Sequence, residues 1–277
     1  MKSRVSFDSS DGLVCFVKDN EIHVCNPITK EHKKLHEPPP RTCFKGKFSV
    51  FYHPRLINIW VNRRLQNYNV SVLDYEVDAH WNGKLSFQVY DSATMKWATS
   101  QPEILIGWRS GGQSVICNGV LYFLIYFKGG TGVGPTKYGL LAYNFSSNSS
   151  THGTLINSFI PLPCSMIFGL MNLKEKLIVV GAINKPGVEN WHIGFGIWLL
   201  KGKNWQEISR ITRPCFYISR GIFDSSGADD LIYIHNKEDP ELVVFDMNQK
   251  QWTCCQECPL EYVTTGFGFQ PRLDISP

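Results

Sequence analysis

Apolar and polar positions alternate along short stretches of this chain, and the stretches come in pairs. LVCFV (13–17) and EIHVCN (21–26) are joined by Lys18-Asp19-Asn20, and SVLDYEV (71–77) and LSFQVYD (85–91) by a loop around Asn82-Gly83. GVLYFLIYF (119–127) and GLLAYNF (139–145) flank a glycine-rich loop, and KLIVVGAI (176–183) and IGFGIWLL (193–200) flank KPGVENWH. DLIYIHN (230–236) and ELVVFDM (241–247) close on Lys237-Glu238-Asp239-Pro240. A period of two with β-branched and aromatic content predicts strands. No long run keeps the 3.6-residue period of an amphipathic helix, so the fold class is all-β.

The residues after each pair repeat as well. Asn26 and His32, Asp91 and Trp97, and Asp246 and Trp252 each stand six residues apart, across a short polar turn. A fourth copy keeps Trp205 and Pro214 without the acidic or amide turn residue; a fifth keeps Asn144 and Pro163 without the tryptophan. Asn or Asp at that place folds its side chain onto the next backbone amides, and Pro27 presets φ for a type I turn. The large ring falls on a returning outer strand, where it covers apolar surface between neighbouring units, contributing about 2–3 kcal/mol by burial. Pro40, Pro102, Pro163, Pro214 and Pro259 mark where each outer strand ends, since proline cannot continue a central ladder.

A strand-built repeat of roughly 40–50 residues is the signature of a β-propeller. The expected architecture is a kelch-type propeller of six blades, five visible and one incomplete. It forms one domain over 1–277, with blades at about 5–40, 44–102, 108–163, 166–214 and 217–259 and a closing strand at 265–273.

Composition narrows the function. The chain is 43% hydrophobic and 19% charged, which supports a packed core rather than disorder. A net charge of +4, with its basic pairs Lys33-Lys34 and Arg63-Arg64 isolated, gives no nucleic-acid footprint. No apolar run reaches the ~18 residues of a membrane span, and the N-terminal residues lack the apolar region of a signal peptide. Nine cysteines, several inside apolar strand patterns, fit reduced thiols in cytoplasm or nucleus better than a disulfide framework. The sequons at Asn69, Asn144 and Asn148 are then chance matches.

The candidate chemistry is thin. Cys254-Cys255-x-x-Cys258 has a metal-like spacing, but zinc needs about four converging ligands and no second pair supplies them. GTGVGP (130–135) lacks the lysine-serine/threonine ending and following helix of a phosphate loop. His23, His32, His36 and His53 lie close in sequence without a nucleophile and orienting acid. No Gly-x-Ser-x-Gly elbow occurs. Sialidase-like Asp boxes are matched only in part by SSDGLVCF (9–16), and the Tyr, His and Cys set of copper radical oxidases is not found. The reading is non-catalytic, without metal or cofactor.

More informative are the segments after the prolines, which in a propeller gather on one face: RTCFKG (41–46), EILIGWRSGG (103–112), CSMIFG (164–169), CFYISRG (215–221) and LEYVTTG (260–266). Arg41, Trp108, Arg109, Phe216, Tyr217, Arg220 and Tyr262 give them the aromatic and basic composition of binding hot spots. They are the candidate partner-binding residues.

SSDGLVCF followed by VCNPITKEHKKLHEPP resembles the first blade of plant F-box/kelch-repeat proteins, with His32 in place of the usual tryptophan. VYDSATMKW, VICNGVLYFL, FDMNQKQW and FGFQPRLDISP extend the similarity over nearly the whole chain. The resemblance implies a substrate receptor of SCF-type ubiquitin ligases, whose F-box helices grip a Skp-type adaptor bound to cullin while the propeller captures the target protein. No F-box-like segment precedes Ser3, and the strand that should precede SSDGLVCF is not evident. The chain is expected to be the propeller portion; without an F-box it would act as a decoy. A sugar- or small-ligand-binding propeller outside ubiquitination is the alternative.

Overall fold

The computed structural model describes residues 7–19, 21–36, 56–77, 83–100, 103–127, 137–144, 159–164, 166–184, 192–212, 223–236, 242–255 and 272–277. They form five antiparallel sheets, each built from strands consecutive in sequence. The first contains β1 (Phe7–Ser10), β2 (Leu13–Lys18), β3 (Glu21–Asn26) and β4 (Glu31–Lys34). The second contains β5 (Leu56–Asn62), β6 (Asn67–Val77), β7 (Gly83–Asp91) and β8 (Lys96–Thr99), and a short β9 (Glu103–Leu105) also pairs with β7. The third contains β10 (Trp108–Cys117), β11 (Val120–Phe127), β12 (Lys137–Asn144) and β13 (Ile160–Pro161). The fourth contains β14 (Ile167–Leu173), β15 (Lys176–Asn184), β16 (His192–Lys201) and β17 (Asn204–Thr212). The fifth contains β18 (Phe223–Ala228), β19 (Leu231–Asn236), β20 (Leu242–Asp246) and β21 (Gln251–Cys255).

The expected strand pairs are the middle strands of these sheets, and the propeller class holds. The expectation of six blades does not: five are present among the described residues. β1 (Phe7–Ser10) takes in the first two residues of SSDGLVCF, so a strand is present at the start of the motif; residues 1–6 ahead of it lie outside the described residues. Phe7–Ser10 pairs with Leu13–Phe16 across a two-residue turn at Asp11-Gly12, both at positive φ (44° and 88°). Such a turn matches the right-handed twist of the strands it joins, and among the described residues the first sheet has the four strands β1–β4. Of the expected closing strand, 265–271 lies outside the described residues, and Arg272 and Leu273 are not in a strand.

Two compact units divide the chain: 1–132, 141–159 and 269–277 in the first, 133–140 and 160–268 in the second. In the first, alternation turns Leu13, Cys15, Ile22 and Val24 toward Ile57, Ile59, Val61, Val70 and Val72 of the next sheet. The second sheet then meets β10 and β11 through Leu73, Tyr75, Leu85 and Phe87 against Ile116, Leu121, Phe123 and Ile125. In the second unit, Phe168, Ile178, Val180, Phe195 and Ile197 pack on Phe223, Ile232, Ile234, Val243 and Phe245. These buried faces are the chief favourable contribution to folding, at about 25 cal/mol per Å² of apolar surface.

The repeated turn forms as its chemistry requires. Asn26 Oδ1 accepts the Ile28 and Thr29 N–H groups (3.0 and 3.3 Å), and Asp246 Oδ1 accepts those of Asn248 and Gln249 (2.8 and 2.9 Å). Asp91 Oδ1 accepts Ala93 N–H (3.0 Å) and its other oxygen takes the Thr94 hydroxyl (3.1 Å). Asn62, outside the repeat, builds the same turn with Arg64 and Leu65 (3.1 and 3.3 Å). The last residue of each turn is left-handed: Lys30, Gln66, Met95 and Lys250, with φ of 53–63°. The fourth repeat needs no such residue, because a two-residue turn with Gly202 at φ 64° joins Lys201 to Asn204. The turn after Asn144 lies outside the described residues.

The repeat tryptophans tie neighbouring sheets. Trp97 Nε1 donates to the His36 carbonyl (3.0 Å), Trp205 Nε1 to the Pro161 carbonyl (2.8 Å) and Trp252 Nε1 to the Ser209 hydroxyl (2.9 Å). Each indole thus reaches from the fourth strand of its own sheet to the outer edge of the sheet before it. His32, at the corresponding place in the first sheet, instead stacks on His23 with ring centroids 4.9 Å apart.

Candidate interaction surface

The segment from β9 to β10 holds the two sequence-predicted contact residues that can be placed. Trp108 opens β10 and Arg109 follows it, so both belong to a strand rather than to the loop the sequence suggested. Gly107 makes the entry possible: its φ is 74°, and a Cβ there would meet Phe127 Cε2 at 2.7 Å. Half-buried Trp108 lies across Phe127 and Phe159, with centroids 5.4 and 4.9 Å away. Its carbonyl accepts the Tyr75 hydroxyl at 3.0 Å. Burial pushes the Tyr75 phenol up to about 12, partly offset by a backbone hydrogen bond. Arg109 faces Tyr126 across the ladder, and Glu76 of β6 faces Lys84 of β7.

The segment leading into Trp108 carries exposed surface that the sequence pattern did not single out. Leu105 is buried, at 4% exposure, while its neighbours Ile104 and Ile106 are 58% and 76% exposed. Pairing of β9 with β7, Leu105 opposite Gly83 and Ile104 opposite Lys84, fixes this presentation. The signal was the alternation Ile104-Leu105-Ile106-Gly107 ahead of the tryptophan; read as an irregular crossover, it concealed which isoleucines face outward. Exposed Ile104 and Ile106 thus stand two to five residues ahead of half-buried Trp108 and Arg109 in one segment. Arg41, Phe216, Tyr217, Arg220 and Tyr262 lie outside the described residues.

The innermost strands of the first unit carry a polar seam in which buried Asn58 joins half-buried Asp8 and Ser114. Asp8 Oδ2 accepts the Ile59 N–H at 2.9 Å and lies 3.5 Å from Asn58 Nδ2. Asn58 Nδ2 donates to the Ser114 carbonyl (2.9 Å), and the Ser114 hydroxyl donates to Asn58 Oδ1 (2.6 Å). Asp8 of β1, Asn58 of β5 and Ser114 of β10 thereby link three successive sheets. Desolvation raises the Asp8 pKa to about 7, against the opposing pull of the Ile59 and Ser9 amides and Asn58. This carboxyl stays largely protonated at acidic pH and ionises near neutrality.

Among the described residues no group of three or more His, Cys, Asp or Glu side chains gathers as a metal site. Among them, too, no helix is long and apolar enough to cross a membrane. The described cysteines Cys15, Cys25, Cys117, Cys164, Cys254 and Cys255 are free thiols. Burial pushes the Cys164 thiol up to about 12 and Cys15 well above its ordinary value, which leaves both unreactive.

Antiparallel sheets of four or five strands in series, with outer-strand tryptophans reaching to the sheet before, define a β-propeller. The profile of the F-box protein At3g26010-like β-propeller family matches residues 1–265, and the chain belongs to that family. The F-box/kelch-repeat protein At3g61590 of Arabidopsis thaliana is 43% identical over 290 residues, covering 97% of this chain and 68% of that protein. Among solved structures, a Synechocystis apocarotenoid oxygenase mutant aligns at TM-score 0.44 and 9% identity, over 91% of this chain and 59% of its own. The Cps50 (Swd1) β-propeller domain of Myceliophteria thermophila aligns at 0.42 and 8%, over 96% and 77%.

Proposed function

We propose that the chain is the target-capturing propeller of an SCF-type ubiquitin ligase receptor: it selects a protein for ubiquitination and makes or breaks no bond itself. The observation that carries this reading is the 43% identity to an F-box/kelch-repeat protein along 97% of the chain. Exposed Ile104 and Ile106, just ahead of half-buried Trp108 and Arg109, support it, because a partner that covers exposed aliphatic side chains gains their burial. Adaptor and cullin would join through an F-box on the same polypeptide, and the reduced thiols suit cytoplasm or nucleus.

The test is affinity capture of the protein expressed from its own gene, scored for Skp-type adaptor, cullin and proteins whose abundance rises when the gene is silenced. Recovery of adaptor and cullin with at least one such protein supports the proposal. Recovery of stable partners with neither adaptor nor cullin rejects it. Ile104→Ser with Ile106→Ser is expected to release the target while keeping the adaptor and leaving stability within about 0.5 kcal/mol, since both side chains are exposed. Target capture by the double variant at the level of the unmodified protein would move the binding surface elsewhere.

A further inference from the structure

We propose that residues 272–277 are a clasp on the first sheet, keyed by the side-chain amide of Asn26. Asn26 is fully buried and uses both ends of its amide. The oxygen builds the turn after β3, as Asp91 and Asp246 do after β7 and β20. The nitrogen donates to the carbonyls of Arg272 (2.9 Å) and Ile275 (2.8 Å). Three further contacts converge on the same segment. Ile275 is only 6% exposed and belongs to the apolar cluster of Leu13, Cys15, Ile22 and Val24. Gly12 lies so near the chain that a Cβ on it would meet Arg272 Cβ at 2.7 Å. Asp11, almost buried, receives the Arg63 guanidinium and lies 3.9 Å from Arg272 Nη1.

An aspartate serves the turn at the equivalent places, because turn building needs only an acceptor oxygen. At position 26 the amide nitrogen has two carbonyls to satisfy, and a carboxylate would turn an oxygen toward both. The chain leaves the first unit for the last time after 159 and rejoins it at 269; the clasp is what fixes residues 272–277 to β1–β4.

This separates the clasp from the turn experimentally. The probe is trypsin, and the readout is the cleavage rate of the Arg272–Leu273 bond, calibrated against a free peptide of residues 266–277. In the unmodified protein the bond should resist cleavage strongly relative to the peptide. Asn26→Asp keeps the turn acceptor and should raise the rate at this bond by about tenfold or more, as expected for losing hydrogen bonds in a buried site. Asp91→Asn, which has no tail to hold, should leave it unchanged. Cleavage of the unmodified protein at the free-peptide rate would overturn the proposal, and so would equal rates for Asn26→Asp and the unmodified protein. Should Asn26→Asp fail to fold, Ile275→Ser tests the same contact from the tail side: it should also raise the rate, and an unchanged rate would overturn the clasp.

Discussion

At the scale of single residues, the desolvated carboxyl of half-buried Asp8 gives the fold a dependence on pH whose sign follows from that desolvation. Its pKa rises from 3.8 in a free chain to about 7 in the folded protein. Between those values the native state holds a proton that the unfolded state has released, so stability falls as pH rises. The contribution is fully present below about pH 4 and is lost by the time the pH passes through about 7; over that interval it amounts to a few kcal/mol. Asp8→Asn removes the ionisation while keeping an oxygen for the Ile59 amide. Urea midpoints at pH 5 and pH 8 should differ in the unmodified protein by more than in the variant. An equal difference would place the pH dependence in other groups, such as His23, which both proteins share. A second residue-scale expectation concerns Trp97: Trp97→Phe keeps a ring against Tyr90 but leaves the His36 carbonyl without its donor. The cost should be about 1–2 kcal/mol in a urea titration.

At the scale of elements, the sequence was most legible where one residue's chemistry decides the local structure. The alternation located the middle strands, and the Asn and Asp turns formed as their side chains dictate. The short inner and outer strands were less legible: FDSS at β1 and EIL at β9 carry too little alternation, and their pairing is set by partners across the sheet. For the same reason the strand position of Trp108 was hidden, and with it the outward isoleucines. One turn runs against its own preference. Lys174-Glu175 joins β14 to β15 with φ of 50° and 59°, a conformation that costs ordinary residues about 1 kcal/mol or more each. Replacing the pair by Asn-Gly should relieve that strain at the expense of the Lys174–Asp230 ion pair, whose lysine is half exposed. Surface pairs contribute about 0–1 kcal/mol, so the backbone gain should win. The melting temperature should rise by about 2–4 °C. A fall would show that the ion pair outweighs the strain.

At the scale of the whole molecule, the repeat is a scaffold rule, and the rule makes stability divisible. Trp97 and Trp252 make the same kind of stitch, but they do so in different compact units and share no partner: Trp97 meets Tyr90 and His36, Trp252 meets Phe245 and Ser209. Independent sites add within about 0.5 kcal/mol, whereas sites on one packed network do not. Each unit also owns the core against which its tryptophan leans, Trp97 with Leu13 and Val24 and Trp252 with Ile232 and Phe245. The double variant Trp97→Phe with Trp252→Phe should therefore lose the sum of the two single losses. Hydrogen exchange should localise each loss, with Trp97→Phe opening amides of β1–β8 and Trp252→Phe those of β14–β21. A double loss clearly smaller than the sum, or exchange that rises across all sheets for either single change, would mean that the stitches act as one cooperative network.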